Sequence, residues 1–301
     1  MIILKYKKIF LGISGLLVLI SLIALFVYKL QLSIEFTGGS IIDFTTSEQI
    51  DEKGLNDRLE KNLGENFVLR TTDNGYSLRT KTAGSDTTHN LHVLKAISGD
   101  KLDTIKVHKF DIIGPTLGNE LKSKAVVALI LVVITIGLFI AYAFRHVSKP
   151  VSSWKYGVIT MIALVHDIAI TVGLFAFLGH YSGVEVDSLF ITALLVILGY
   201  SINDTIVVFD RIRENLSHAS DSDKEEKFDQ IVGKSLSETF VRSLNTSLTT
   251  LLSTSIILFF ATGTVHYFAL ALLVGIASGT YSSIFVAAPL LTYFKPKQKK
   301  A

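Results

Sequence analysis

Residues 9–28, 125–144 and 267–291 contain no charged side chain at all. Three more stretches are nearly as bare. Residues 156–178 carry only His166 and Asp167, and residues 188–209 only Asp204. Residues 243–263 have no charge but many hydroxyls. A helix rises about 1.5 Å per residue, so about 20 apolar residues cross the hydrocarbon core of a bilayer. In that core only helices and closed barrels satisfy the backbone, and runs this long and apolar select the helix. The sequence therefore predicts a polytopic α-helical membrane protein with six spans. The remaining composition agrees: 18% of the residues are charged, against about a quarter in soluble domains. With no cysteine and four prolines, disulfide scaffolds, thiol nucleophiles and Pro-rich fibres are excluded. A formal charge of +3 gives no nucleic-acid footprint.

Lys5, Lys7 and Lys8 before the first span resemble the front of a signal peptide. The apolar run is too long for a signal core, and no small-residue cleavage site follows it, so a retained anchor is expected. Charge sets the orientation. The N-terminus, the loop with Arg145, Lys149 and Lys155, and the tail with Lys295, Lys297, Lys299 and Lys300 are basic, and the 210–242 loop also carries several Lys and Arg. The 179–187 connection has no Lys or Arg. Both termini are thus expected in the cytoplasm, and residues 29–124 outside it. Long segments translocate largely regardless of charge.

Within 29–124 the pattern becomes that of a soluble domain. Residues 40–45 read as a strand, followed by a Thr46/Gln49 capping box and a helix bearing Ile50, Leu55, Leu59 and Leu63. Residues 67–71 and 76–80 form a hairpin around Asp73-Asn74-Gly75. Asp86 is placed to cap a second helix with Leu91, Leu94 and Ile97, and residues 104–110 alternate again. The order β-α-β-β-α-β predicts a small α+β domain of ferredoxin-like type between spans one and two. His89 and His92 lie one helical turn apart. Without a third ligand they read as a solvated face and not a metal site. Inside, Phe228, Ile231, Val232, Leu236 and Phe240 recur at helical spacing among charges. This amphipathic helix suits either the membrane interface or a partner.

Ionisable groups inside a bilayer cost several kcal/mol and usually face inward to do work. Asp204 lies toward the inner end of span four, with Ser201 one turn before it, Asn203 beside it and Arg211 two turns after. Span five opens with Arg242, and Asn245, Thr249 and Ser253 continue a polar stripe on one helix side. Asp204 and Arg242 sit at compatible depths, which makes them a candidate proton-binding pair. Asp167 lies midway along span three, near Thr160 and Thr171, with no cation opposite. His166 points about 100° away from it round an ideal helix, which favours packing. Span six carries Ala271, Gly275, Gly279, Ser283 and Ala287 at every fourth position. That small-residue ladder reads as a helix-packing surface and not a chemical site.

The run from Gly199 to Asn215, Gly-Tyr-Ser-Ile-Asn-Asp-Thr-Ile-Val-Val-Phe-Asp-Arg-Ile-Arg-Glu-Asn, resembles the SecF family of the bacterial SecD/SecF protein-export complex. Supporting it are Phe36-Thr37-Gly38-Gly39, Gly114-Pro115, Leu164-Val165-His166-Asp167 and Arg242-Ser243-Leu244-Asn245-Thr246-Ser247. One departure is Glu35, where the family pattern has Asp. The resemblance covers nearly the whole chain. It implies a six-span half of a resistance-nodulation-division machine, paired with a SecD-like subunit. It further implies work with the SecY/SecE/SecG channel and the SecA motor in the bacterial inner membrane. Proton flow would then help draw unfolded exported polypeptide outward. On residue matching, Asp204 and Arg242 fall on proton-pathway positions and Asp167 on a further motif. No cofactor and no enzymatic activity are expected.

Three rival readings use the same residues. A proton-coupled small-molecule exporter half would need a larger outside portion than the single domain here. A scaffold that only stabilises its partner would not need Asp204. An intramembrane aspartyl protease would need a Gly-x-Gly-Asp motif that is absent.

Overall fold

The computed structural model describes residues 2–46, 52–63, 67–72, 75–80, 87–99, 104–145, 151–219 and 227–294. The chain divides into two compact units: Leu32–Val126, and Met1–Gln31 with Val127–Ala301.

The smaller unit follows the expected order. After a one-turn helix comes strand β1 (Gly39–Thr46), then a helix (Glu52–Leu63), β2 (Phe67–Thr72), β3 (Gly75–Thr80), a second helix (Thr87–Ser98) and β4 (Ile105–Ile113). All pairs are antiparallel and the sheet order is β2-β3-β1-β4, which is the ferredoxin-like arrangement. Ile42, Phe44 and Leu78 on one sheet face pack with Leu55 and Leu59 of the first helix and with Val93, Ala96 and Ile97 of the second. Strand β4 runs three residues past its expected end because pairing with β1 continues to Gly39↔Ile113. Gln49 of the expected capping box, Asp73 and Asn74 of the hairpin turn, and Asp86 lie outside the described residues.

Gly38 and Gly39 close the entry to this unit. Both have positive φ, 77° and 139°, a region that L side chains enter only with strain. A Cβ on Gly38 would come 2.8 Å from Pro115 Cα, and one on Gly39 would overlap the Thr80 carbonyl. Gly118, one turn into the next helix, stands against the Phe36 and Gly38 backbone. The segments leading into and out of the domain are thus interlocked through glycines.

In chain order the helices are α1 (Ile2–Lys5), α2 (Lys7–Tyr28), α3 (Ile34–Thr37), α4 (Glu52–Leu63), α5 (Thr87–Ser98), α6 (Pro115–Ala143), α7 (Ser153–Ser182), α8 (Ser188–Ser217), α9 (Phe228–Phe260), α10 (Gly263–Ser282) and α11 (Ala288–Tyr293). A π-turn, Ser283–Ala287, joins the last two into one span. Among the described residues, six helices are long and apolar enough to cross a membrane: α2, α6, α7, α8, α9 and the joined Gly263–Tyr293. Burial sorts them. The apolar windows of α7, α8 and Gly263–Tyr293 are 44%, 44% and 56% buried, whereas those of α2 and α6 are 6% and 11% buried. The first three form the centre, and α2 and α6 expose apolar flanks suited to lipid.

Helices α6 and α9 extend well beyond the apolar stretches that announced them. Helix α6 starts at Pro115, a residue preorganised for a first helical turn. A Glu120–Lys124 pair at 2.7 Å supports its polar first half. The expected inside helix and span five are one unbroken helix, Phe228–Phe260. Its Phe228, Val232 and Leu236 are buried with Phe209, Ile212 and Leu216 of α8. The segment therefore packs on its own chain and does not lie free at the membrane interface; the apolar stripes of α8 and α9 are complementary.

Candidate functional site

Helix α7 holds Asp167 midway along its length and wholly buried, at 0% exposure. Its Oδ2 accepts hydrogen bonds from Ser201 of α8 (2.6 Å) and Ser282 of α10 (2.9 Å). Its Oδ1 accepts from Ser278 of α10 (3.0 Å) and lies 3.0 Å from His166 Nδ1. An ionised carboxylate offers about four acceptor sites, and here each has a donor. Serine side chains are short, so this convergence needs close helix backbones. Gly275 and Gly279 provide the approach: a Cβ on Gly279 would lie 2.9 Å from Ser201 Cβ, and one on Gly275 would overlap Ile197.

Asp204, one turn after Ser201 on α8, is 2% exposed. Its Oδ2 accepts from Ser247 of α9 at 3.0 Å, and the Ser247 hydroxyl in turn receives Thr280 of α10 at 2.7 Å. The Thr205 and Ser283 hydroxyls meet at 2.8 Å, and Ser283 also bonds the Ser201 carbonyl at 3.3 Å. Ser283 opens the π-turn, an irregularity found often at functional sites. Two buried carboxylates thus share one hydroxyl-rich layer between α7, α8, α9 and α10. Each hydroxyl there can both donate and accept.

Apolar layers close this polar layer on both sides. Toward one end, Phe175 and Phe190 pack at 4.4 Å, with Ala193, Leu194 and Ile197 buried beside them. Toward the other, Tyr156 stacks on Phe144 at 5.3 Å and meets Phe209 edge-on at 5.1 Å. Ile212 and Phe228 complete that layer. Low-dielectric walls strengthen every charge interaction inside them.

The sequence-derived residues divide sharply. Asp167, Asp204 and Ser201 are buried in the layer, and Gly275 and Gly279 form the close approach beside it. Asn203, Arg242, Asn245 and Thr249 are exposed. Among the described residues no hydrogen bond or ion pair joins Arg242 to Asp204. Helix geometry explains this: Ser247 turns toward Asp204, and Arg242, five residues earlier, stands about 140° round the helix. Arg211 is engaged elsewhere, with Glu238 at 2.7 Å and Glu214 at 2.6 Å. Thr171 bonds the Asp167 carbonyl and not its carboxylate.

Two expectations are corrected. His166 does not turn away from Asp167. Helix α7 has neighbours on several sides, so its adjacent positions are both buried and the imidazole reaches the carboxylate. The last span is not only a packing surface, since Ser278 and Ser282, in the row beside the small-residue ladder, donate to Asp167. Ser247 and Thr205 stand in the sequence only as members of family motifs, and Thr280 in none, with nothing that marks them as site residues. Their signal, serine and threonine at four-residue intervals in apolar helices, also marks ordinary helix packing.

Comparison with known proteins agrees with this architecture. A family profile described as protein export membrane protein SecD/SecF, C-terminal, matches residues 93–297, and the SecD/SecF GG motif matches residues 23–50. The protein translocase subunit SecF of Thermobaculum terrenum is 38% identical over 98% of this chain and 94% of its own length. The subunit of the same description from Anaerolinea thermophila is 34% identical over 97% and 94%. A crystal structure of SecDF, a translocon-associated membrane protein from Thermus thermophilus, superposes with a TM-score of 0.77 at 31% identity. That match covers 96% of this chain but only 38% of the larger SecDF chain. With six apolar spans, one ferredoxin-like domain between the first two, and these matches along almost its entire length, the chain belongs to the SecD/SecF family of protein-export membrane proteins.

Proposed function

We propose that this chain is the SecF-type accessory subunit of a Sec protein translocase and couples the proton-motive force to late steps of polypeptide export. Its site is the polar layer around Asp167 and Asp204. The observation that carries the reading is the burial of two carboxylates at mid-helix, with hydroxyls from three neighbouring helices as their partners. Such groups are expensive in a bilayer and mark proton relays. Each proton crossing the potential is worth about 2.3 kcal/mol per 100 mV, enough to bias a two-state arrangement of helices. Protonating either carboxylate weakens the demand for its hydroxyl donors, and so alters what holds α7, α8 and α10 together.

A SecD-like subunit is the partner half, with the SecY/SecE/SecG channel and the SecA motor as the larger assembly. The exposed Arg242 and Asn245 of α9 support a protein neighbour, because polar side chains facing lipid lack partners. The basic N-terminus, 145–155 loop and C-terminal tail support cytoplasmic termini and an extracytoplasmic α+β domain in the bacterial inner membrane. The test is proton-dependent late translocation in vesicles carrying Asp204→Asn with its partner subunit. The coupling reading expects the gradient-dependent part to disappear, and undiminished coupling would sink it.

A further inference from the structure

His166 is 5% exposed, its Nδ1 lies 3.0 Å from Asp167 Oδ1, and its Nε2 is buried without a hydrogen-bond partner among the described residues. A carboxylate can only accept, so Nδ1 carries the proton it donates and Nε2 holds a free lone pair. A packing histidine in an apolar bundle has no need to place one nitrogen on a carboxylate and leave the other bare. An unsatisfied polar atom in this setting carries a penalty and calls for an explanation.

We propose that His166 and Asp167 form one proton-binding unit, with His166 Nε2 as the atom that takes up and releases the proton. Before uptake the unit is a neutral imidazole on a carboxylate, with net charge −1. A proton added to Nε2 gives imidazolium and carboxylate, with net charge zero. Transfer of the Nδ1 proton to Oδ1 gives a neutral pair of the same total charge, so the proton belongs to the unit and not to either residue. No other bond is made or broken.

The surroundings suit a unit that switches between −1 and 0. From α8 it faces Ser201, with Asp204 one turn further on. From α10 it faces Ser278, Ser282 and Tyr281, whose ring stacks on His166 at 6.3 Å. Helix α2 reaches it through Tyr281, whose hydroxyl donates to the Phe10 carbonyl at 3.1 Å and receives Ser14 at 3.4 Å. The charged Lys7 of α2 is held by Asp229 and Thr292. Charging and discharging the unit therefore acts on hydroxyls of α8 and α10, and among the described residues no cation is paired with it. This inference rests on the proton-coupling reading above but adds a carrier to it.

The test is ¹⁵N NMR of His166 in the full-length protein, reconstituted with its partner subunit in vesicles. The proposal expects the Nε2 resonance to respond to pH, and that response to change in Asp167→Asn. A resonance that does not respond to pH overturns it. As a second readout, His166→Asn keeps an N–H donor at the Nδ1 position toward Asp167 but cannot carry a proton. Proton-driven export on the order of tenfold lower is expected. Export within twofold of the parent with the same pH profile, while Asp204→Asn is inactive, overturns this inference and leaves the coupling reading standing.

Discussion

The Ser201 hydroxyl of α8 donates to Asp167 Oδ2 of α7 across 2.6 Å, and it is the shortest of the contacts that gather three helices on one carboxylate. Because Asp204 follows Ser201 by one turn, α8 links the two buried acids. Any change in the charge of Asp167 is felt first on the helix that carries Asp204. From this relationship the following outcomes are expected.

Ser201→Ala leaves Asp167 with one acceptor site unfilled in a buried position. A loss of about 1–3 kcal/mol is expected, the range for removing one partner of a buried charged hydrogen bond. Unfolding of the purified protein in detergent measures it. Ser201→Thr, which keeps the hydroxyl, should recover most of that loss unless its extra methyl meets Gly279.

Gly279→Ala tests whether the small-residue ladder serves the site as well as packing. Its methyl would meet Ser201 Cβ at 2.9 Å, so α8 and α10 must separate or Ser201 must leave Asp167. Export activity should fall with membrane insertion intact. Gly275→Ala presses on the Ile197 side chain, which lies off the polar layer, and should be milder in activity at a similar cost in stability.

Arg211→Ala distinguishes an inside-end brace from a counter-ion of Asp204. Arg211 holds Glu214 and Glu238 with its side chain 34% exposed, and exposed pairs contribute under about 1 kcal/mol. A small stability change with unaltered proton dependence is expected. Loss of proton dependence would reassign Arg211 to the site.

The continuous α9 is open to thiol labelling because the chain has no cysteine of its own. Val232→Cys, on the face buried against α8, should resist a water-soluble maleimide, while Lys234→Cys, 69% exposed at the side chain, should react. Equal reactivity at both positions would mean that this face is not packed.

Gly38→Ala places a methyl at positive φ and 2.8 Å from Pro115 Cα. The backbone strain alone is about 1–3 kcal/mol. Faster limited proteolysis of the α+β domain in the full chain is the expected sign, with the six helices unaffected.

Much of this architecture is legible in the sequence because its signals are strong and local. Charge-free runs announce the spans, and the alternation at 40–45, 67–71 and 76–80 announces strands that form with few changes at their ends. The helix termini were less legible. Hydropathy marks only the part of α6, α8 and α9 that is apolar, whereas Glu120, Lys124 and the α9 stripe continue those helices past it. At the site, the two rare charges, Asp167 and Asp204, stood out, but their partners did not. Arg242 drew attention by its charge, yet helix phase carries it to the outer face. Apart from His166, the donors to both acids are serines, ordinary in close-packed membrane helices, and their convergence depends on how α7, α8, α9 and α10 cross. The ideal helical direction of His166 points it away from Asp167, but the reach of its ring brings Nδ1 to the carboxylate.

The most direct measurement compares export by the parent protein, Asp167→Asn and Asp204→Asn in vesicles, with the proton gradient intact and collapsed. The account predicts that both variants reach the membrane at normal levels and equal the parent once the gradient is gone, but gain nothing from restoring it. A variant at either position that still accelerates with the gradient as the parent does would contradict the claim that these buried acids carry the coupling.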